Sequence, residues 1–85
     1  MTLWKRENVT TEQVLSVYAR PLEDRYPADQ VIAAETSAPI KVVWAAIWRE
    51  ADAGHIDYGS NLRGGWLTDK GKRTLAELTG RVVDE

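Results

Sequence analysis

The chain has 85 residues, 44% of them hydrophobic and 28% charged, which fits one globular domain with a modest core and excludes a disordered tail. No cysteine and a single histidine exclude disulfides, thiolate zinc sites and multi-histidine centres within one chain. The net charge of −2 excludes a strongly basic nucleic-acid binder, although the charges are unevenly spread. Residues 38–73 hold six basic and four acidic groups, whereas the flanking segments are both acidic on balance. The opening MTLWKRENVTTEQ lacks the apolar core of a secretion signal, and no apolar run reaches membrane-spanning length, so a cytoplasmic protein without a membrane partner is expected.

In chain order, residues 1–9 read as an N-terminal arm, anchored by Leu3 and Trp4. Thr10 or Thr11 caps a first helix, and Thr10 with Gln13 fits a capping box. Val14, Leu15, Val17 and Tyr18 are its apolar stripe, and Pro21 ends it near Ala19. The segment RPLEDRYP (residues 20–27) reads as a connector with Leu22 and Tyr26 turned inward. A second helix is expected from Pro27 to Glu35, with Asp29 complementing its dipole and Val31, Ile32 and Ala34 forming a small buried face. Thr36 and Ser37 break it.

A third helix is expected from Ala38 or Pro39 to Ala53, stopped by Gly54. At about 100° per residue, Ile40, Val43, Ala46, Ile47 and Ala51 share the core side. Lys41, Ala45, Arg49 and Asp52 share the opposite side, with Trp44 and Trp48 on the border. A two-stranded hairpin follows. Ile56 and Tyr58 alternate with His55 and Asp57, and a third minor pairing at the wing is anticipated. The tip GSNLRGG uses Gly59, Gly64 and Gly65 for positive φ, and Trp66 and Leu67 return. Thr68 caps a last helix with Asp69 in its first turn. Leu75 and Leu78 dock on the core, Gly80 ends the helix, and residues 81–85 form a tail.

These residues resemble a known architecture. The run from Ile32 to Ile56 is similar to the helix-turn-helix of winged-helix transcriptional regulators. Ala33 stands at the small position of the first helix, Ser37 and Ala38 in the turn, Val43 and Ile47 at core positions of the second helix, and Gly54 and Ile56 at the entry to the wing. The LTDKG of residues 67–71, followed by Leu75 and Leu78, resembles the wing exit of MarR and PadR-like regulators. The resemblance covers about two thirds of the chain. It implies an α+β winged helix-turn-helix domain over residues 10–80, with a three-helix core, a two-stranded wing and a C-terminal helix. Two departures stand out. Ser37 occupies a turn position where glycine is common, and Pro39, Ile40, Ala45 and two tryptophans stand where regulators usually place Arg, Ser, Thr or Gln.

The sequence offers no nucleophile–base pair, no third ligand beside His55 and Asp57, and no phosphate-binding loop in GSNLRGG, so neither an enzyme nor a cofactor is expected. The leading expectation is a small regulator or accessory protein, of phage or mobile-element type, that binds double-stranded DNA. Lys41, Trp44, Ala45, Trp48 and Arg49 of the third helix would enter the major groove. Arg63, beside Asn61 on the hairpin, would reach phosphate or the minor groove, and Lys70, Lys72 and Arg73 would add phosphate contacts. A homodimer is expected because one small module buries little DNA surface. The alternative is a winged helix that docks on a larger protein through Ile40, Trp44 or Trp48. Exposure separates the two. An apolar patch on the third helix favours protein, and a basic stripe through Lys41, Arg63 and Lys72 favours DNA.

Overall fold

A computed structural model describes residues 8–80 of the chain. The architecture is α+β. Five helices surround one small antiparallel sheet, in the order α1 (Thr11–Tyr18), α2 (Leu22–Arg25), α3 (Ala28–Thr36), α4 (Ile40–Asp52), β1 (Ile56–Asp57), a 3₁₀ turn (Leu62–Gly64), β2 (Trp66–Leu67) and α5 (Asp69–Thr79). Among the described residues no single helix is long and apolar enough to cross a membrane.

Helix α1 is the hub of the packing, touching α3, α4, α5 and β2. Its capping box forms as the sequence requires. The Thr10 hydroxyl accepts from the Gln13 backbone N–H at 3.1 Å, and the Gln13 side chain accepts from the Thr10 N–H at 2.8 Å. Such a cap stabilises a helix start by about 0.5–2 kcal/mol. Val14, Leu15, Val17 and Tyr18 are all buried. So is Val9, which moves the last residue of the expected arm into the core. Leu3, Trp4 and the tail at 81–85 lie outside the described residues.

The expected connector contains a helical turn, α2. Leu22 and Tyr26 do not turn inward; they are 52% and 50% exposed. This segment is held by polar contacts instead. The Arg25 guanidinium donates to the carbonyls of Arg20 and Gly65, so apolar burial is not needed to fix it. On α3 the buried face is Ala28, Asp29 and Ile32, rotated from the expected set: Val31 is half-buried and Ala34 exposed.

The break between α3 and α4 spans residues 37–39, and the two helices meet at 118°. Ser37 sits in the left-handed region at φ 61°, the conformation for which glycine would be the usual choice. Thr36 supports the turn: its hydroxyl donates to the Ile32 carbonyl and accepts from the Ala38 N–H. Helix α4 ends at Ala53, followed by Gly54 at φ 83°. Its buried face is Val43, Ala46, Ile47 and Glu50. Val43, Ala46 and Ile47 of the expected stripe are buried, whereas its two ends are not: Ile40 is 44% exposed and Ala51 only half-buried.

The sheet pairs Ile56 with Leu67 and Asp57 with Trp66. Ile56 and Leu67 face the core, and Asp57 and Trp66 face out. Tyr58 follows the end of β1 and is 37% exposed, so the anticipated Ile56/Tyr58 alternation stops at Asp57. Among the described residues the sheet has two strands. The intervening loop is no free tip. Leu62 is buried, and its carbonyl accepts from the Tyr18 hydroxyl at 2.9 Å. Burial, aided by the Asp29 carboxylate, pushes the Tyr18 phenol up and keeps it a neutral donor. None of Gly59, Gly64 and Gly65 adopts the expected positive φ. Gly65 matters for space: a Cβ there would lie 2.7 Å from the Asp57 carbonyl.

Helix α5 starts at Thr68, whose hydroxyl accepts from the Gly71 N–H at 3.0 Å, and ends at Gly80 with φ 71°. Leu75 is buried, whereas Leu78 remains 49% exposed and does not dock. Gly71 lets α5 lie directly on the entry to β1, since a Cβ at that position would meet the His55 carbonyl oxygen at 2.1 Å. Backbone cannot yield there as a flexible side chain would. Gly71→Ala is therefore expected to destabilise the domain by about 1–3 kcal/mol despite alanine's better helix propensity, a change that chemical denaturation measures directly.

Candidate interaction surface

Two buried carboxylates organise the charged residues, and both were missed in the sequence. Glu50 is 1% exposed. One carboxylate oxygen accepts from the Thr11 hydroxyl and from Arg49 Nε, each at 2.7 Å; the other lies 2.7 Å from His55 Nδ1. His55 Nε2 is 3.2 Å from the Thr74 hydroxyl, and Arg49 also donates to the Val9 carbonyl at 2.8 Å. The threonine hydroxyl can donate or accept, so it suits the imidazole in either charge state. Burial alone would push the Glu50 carboxyl up. The hydrogen bonds from Thr11, His55 and Arg49, with the Arg49 charge, outweigh burial and hold it below the usual carboxylate range. The missed signal was spacing: Glu50 lies seven residues after Val43 and three after Ile47, on the core stripe.

Asp29, also 1% exposed, faces Arg63 Nε at 3.1 Å. The approach is not aligned as a hydrogen bond, so Asp29 Oδ1 is satisfied by charge alone. The Arg63 guanidinium lies 5.9 Å from the centre of the Trp44 ring, within reach of a cation–π contact. The expectation that Arg63 stands free on the hairpin therefore does not hold. Its side chain keeps 44% exposure, but its charge answers a buried carboxylate on α3. Asn61 is exposed and accepts from the Arg63 N–H, a local turn contact.

The other expected contacts divide in the same way. Lys70 donates to the Ala53 carbonyl at 2.6 Å and caps the C-terminus of α4. Arg49 does not point away with Lys41 as expected; it is half-buried and bound to Glu50. Lys72 is half-buried and Arg73 exposed, both on α5. Lys41 is exposed, and among the described residues no ion pair is recorded for it. The outward face of α4 carries Lys41, half-buried Ala45, Trp48 at 45% exposure and Asp52. Trp44 is half-buried beneath Arg63. Tyr58, just past β1, reaches back and meets Trp48 edge to face, with ring centres 5.9 Å apart. No group of three or more potential metal ligands forms among the described residues. Comparisons with protein-family models, curated proteins and solved structures find no match to this chain.

The Glu50 cluster generates a pH signature. Because its carboxyl is held low in the folded protein, the stabilisation is fully present above the ordinary carboxylate range and is lost as pH falls below it. The melting temperature is expected to drop on acidification more steeply in the wild type than in Glu50→Gln. Glu50→Ala, which leaves Arg49 and His55 without their shared partner, should cost about 3–5 kcal/mol at neutral pH. Both follow from thermal melts across a pH series.

Proposed function

We propose that the chain is a winged helix-turn-helix module whose outward α4 face docks on protein. The helix crossing of 118° over a three-residue turn lies in the range of helix-turn-helix units, and the short hairpin that follows supplies a wing. The ligand class rests on one observation: the outward face that would read DNA presents Trp48, 45% exposed, with Tyr58 against it, rather than a basic stripe, and Ile40 at the side of that face is 44% exposed. Exposed aromatic anchors of this kind favour protein contact.

The cations tell the same story by magnitude. Each phosphate neutralised contributes a slope of about −0.9 to log affinity against log salt. Arg63 answers Asp29, Lys70 caps α4 and Arg49 is bound within the Glu50 cluster. Of the expected DNA contacts on α4, Lys41 alone offers its charge outward. Duplex DNA remains the second reading, favoured by the helix crossing and the wing.

A fluorescence-anisotropy titration against mixed-sequence duplex DNA, at about 50 mM and about 200 mM salt, separates the two. The docking reading expects no saturable binding at either salt. Saturable binding that weakens about 10³-fold or more between them, and that Lys41→Ala reduces, would overturn it in favour of DNA.

A further inference from the structure

The outward face of α4 is complementary to itself. Lys41, Ala45, Trp48 and Asp52 are spaced four, three and four residues apart, the spacing of a coiled-coil seam. At about 100° per residue they fall on one line directly opposite the buried Val43, Ala46, Ile47 and Glu50. The line has a cation at its start, an anion at its end, and a small and a large side chain between them. Lys41 and Asp52 are both exposed, and among the described residues neither has a recorded ion-pair partner.

We infer that this seam pairs with the α4 seam of a second copy of the chain, antiparallel, about a two-fold axis passing between Ala46 and Ile47. The inference rests on the docking reading above and names its partner. Lys41 to Asp52 and Ala45 to Trp48 have the same midpoint, so a single axis sets Lys41 across from Asp52 of the second copy and Trp48 across from its Ala45. Large meets small, and opposite charges meet at both ends. A parallel pairing would set Lys41 against Lys41 and Trp48 against Trp48. An isologous contact of this kind closes at two subunits. Tyr58, already against Trp48, widens the apolar centre. One helix pair lies at the small end of specific interfaces, below about 1,200 Å² in total, so the dimer dissociates in the micromolar range or above.

Sedimentation equilibrium of the full chain from about 10 μM to about 1 mM, a range that spans a weak dimer, tests this. The wild type is expected to show a reversible monomer–dimer equilibrium. Lys41→Asp and Asp52→Lys should each weaken it by about tenfold, because both end pairs turn from attraction to repulsion. Mixing these two variants should restore association, because the mixed dimer regains both opposite-charge pairs. A second measurement does not depend on charge. The chain has no cysteine, so oxidation of a mixture of Lys41→Cys and Asp52→Cys should yield the mixed disulfide well ahead of either self-disulfide. A wild type that stays monomeric throughout overturns the inference. So does a dimer indifferent to the charge reversals, a mixture that fails to restore association, or a mixed disulfide formed at no more than the twofold excess over each self-disulfide that random pairing gives. A monomeric wild type sinks self-pairing alone, whereas saturable salt-dependent duplex binding sinks the docking reading beneath it.

Discussion

A carboxylate with almost no contact with solvent sits where four parts of the chain converge. Glu50 comes from α4 and is answered by Thr11 at the start of α1, by Arg49 on its own helix and by His55 at the entry to β1, which is itself held by Thr74 of α5. A bare carboxylate in that position would cost several kcal/mol in lost hydration. Three donors, one of them the Arg49 cation, reverse the balance, which is why the group remains ionised in spite of burial. A hydrophobic residue there could bury as much surface, but it would not set angles. Hydrogen bonds have direction, and these fix how α1, the entry to β1 and α5 approach α4. Gly71 belongs to the same constraint: with the His55 ring tied to Glu50 and Thr74, the His55 carbonyl presses on α5 at a distance that no Cβ would tolerate.

Asp29 does for the hairpin loop what Glu50 does for the helices. Its partner Arg63 is carried on the 3₁₀ turn, and the same turn is pinned by the Tyr18 hydroxyl on the Leu62 carbonyl. Arg25 adds a third tie through Gly65. A glycine-rich loop whose local chemistry promises freedom is therefore drawn against α3 and the Trp44 end of α4. The loop's conformation depends on long-range partners, not on its own residues, and its glycines supply room where the chain crosses itself more than they supply unusual torsions.

This distinction explains what could be read from the sequence. Local rules located the elements: the Thr10–Gln13 box, the Thr68 cap, the stops at Gly54 and Gly80 and the apolar spacing of α1 each depend on neighbours within one turn. The errors arose where a side chain's role depends on a residue 34 to 44 positions away. The pairs Asp29–Arg63, Glu50–Thr11 and Tyr18–Leu62 have separations of that order. Residue type also misled. The spacing of the α4 stripe includes Glu50, but carboxylates are almost never fully buried unless paired, and its partner Thr11 is distant in the sequence. Arg49, adjacent to it, falls on the outward side by helical spacing, yet its side chain turns back to Glu50. Leu22 and Tyr26 are expected inward as apolar residues and Leu78 for its spacing from Leu75, but a domain of this size has too little interior to enclose every large apolar side chain.

The candidate surface follows from how the charges are used inside. Of the six cations that sequence alone would assign to phosphate, three are held by two acids and a helix terminus, Arg49 by Glu50, Arg63 by Asp29 and Lys70 at the end of α4, so these three serve the fold. Removing those cations from the outward face leaves α4 with its own pattern: a charge at each end and an aromatic centre supported by Tyr58. Such a face is weakly attractive to a uniform anion such as duplex DNA, whose binding scales with the number of phosphates neutralised. It is better matched to a surface that offers an opposite charge at each end and a depression for a large ring. The outward residues of α4 itself, reversed in direction, have that pattern, and for this reason the same arrangement that weakens the DNA reading gives the docking reading a defined partner.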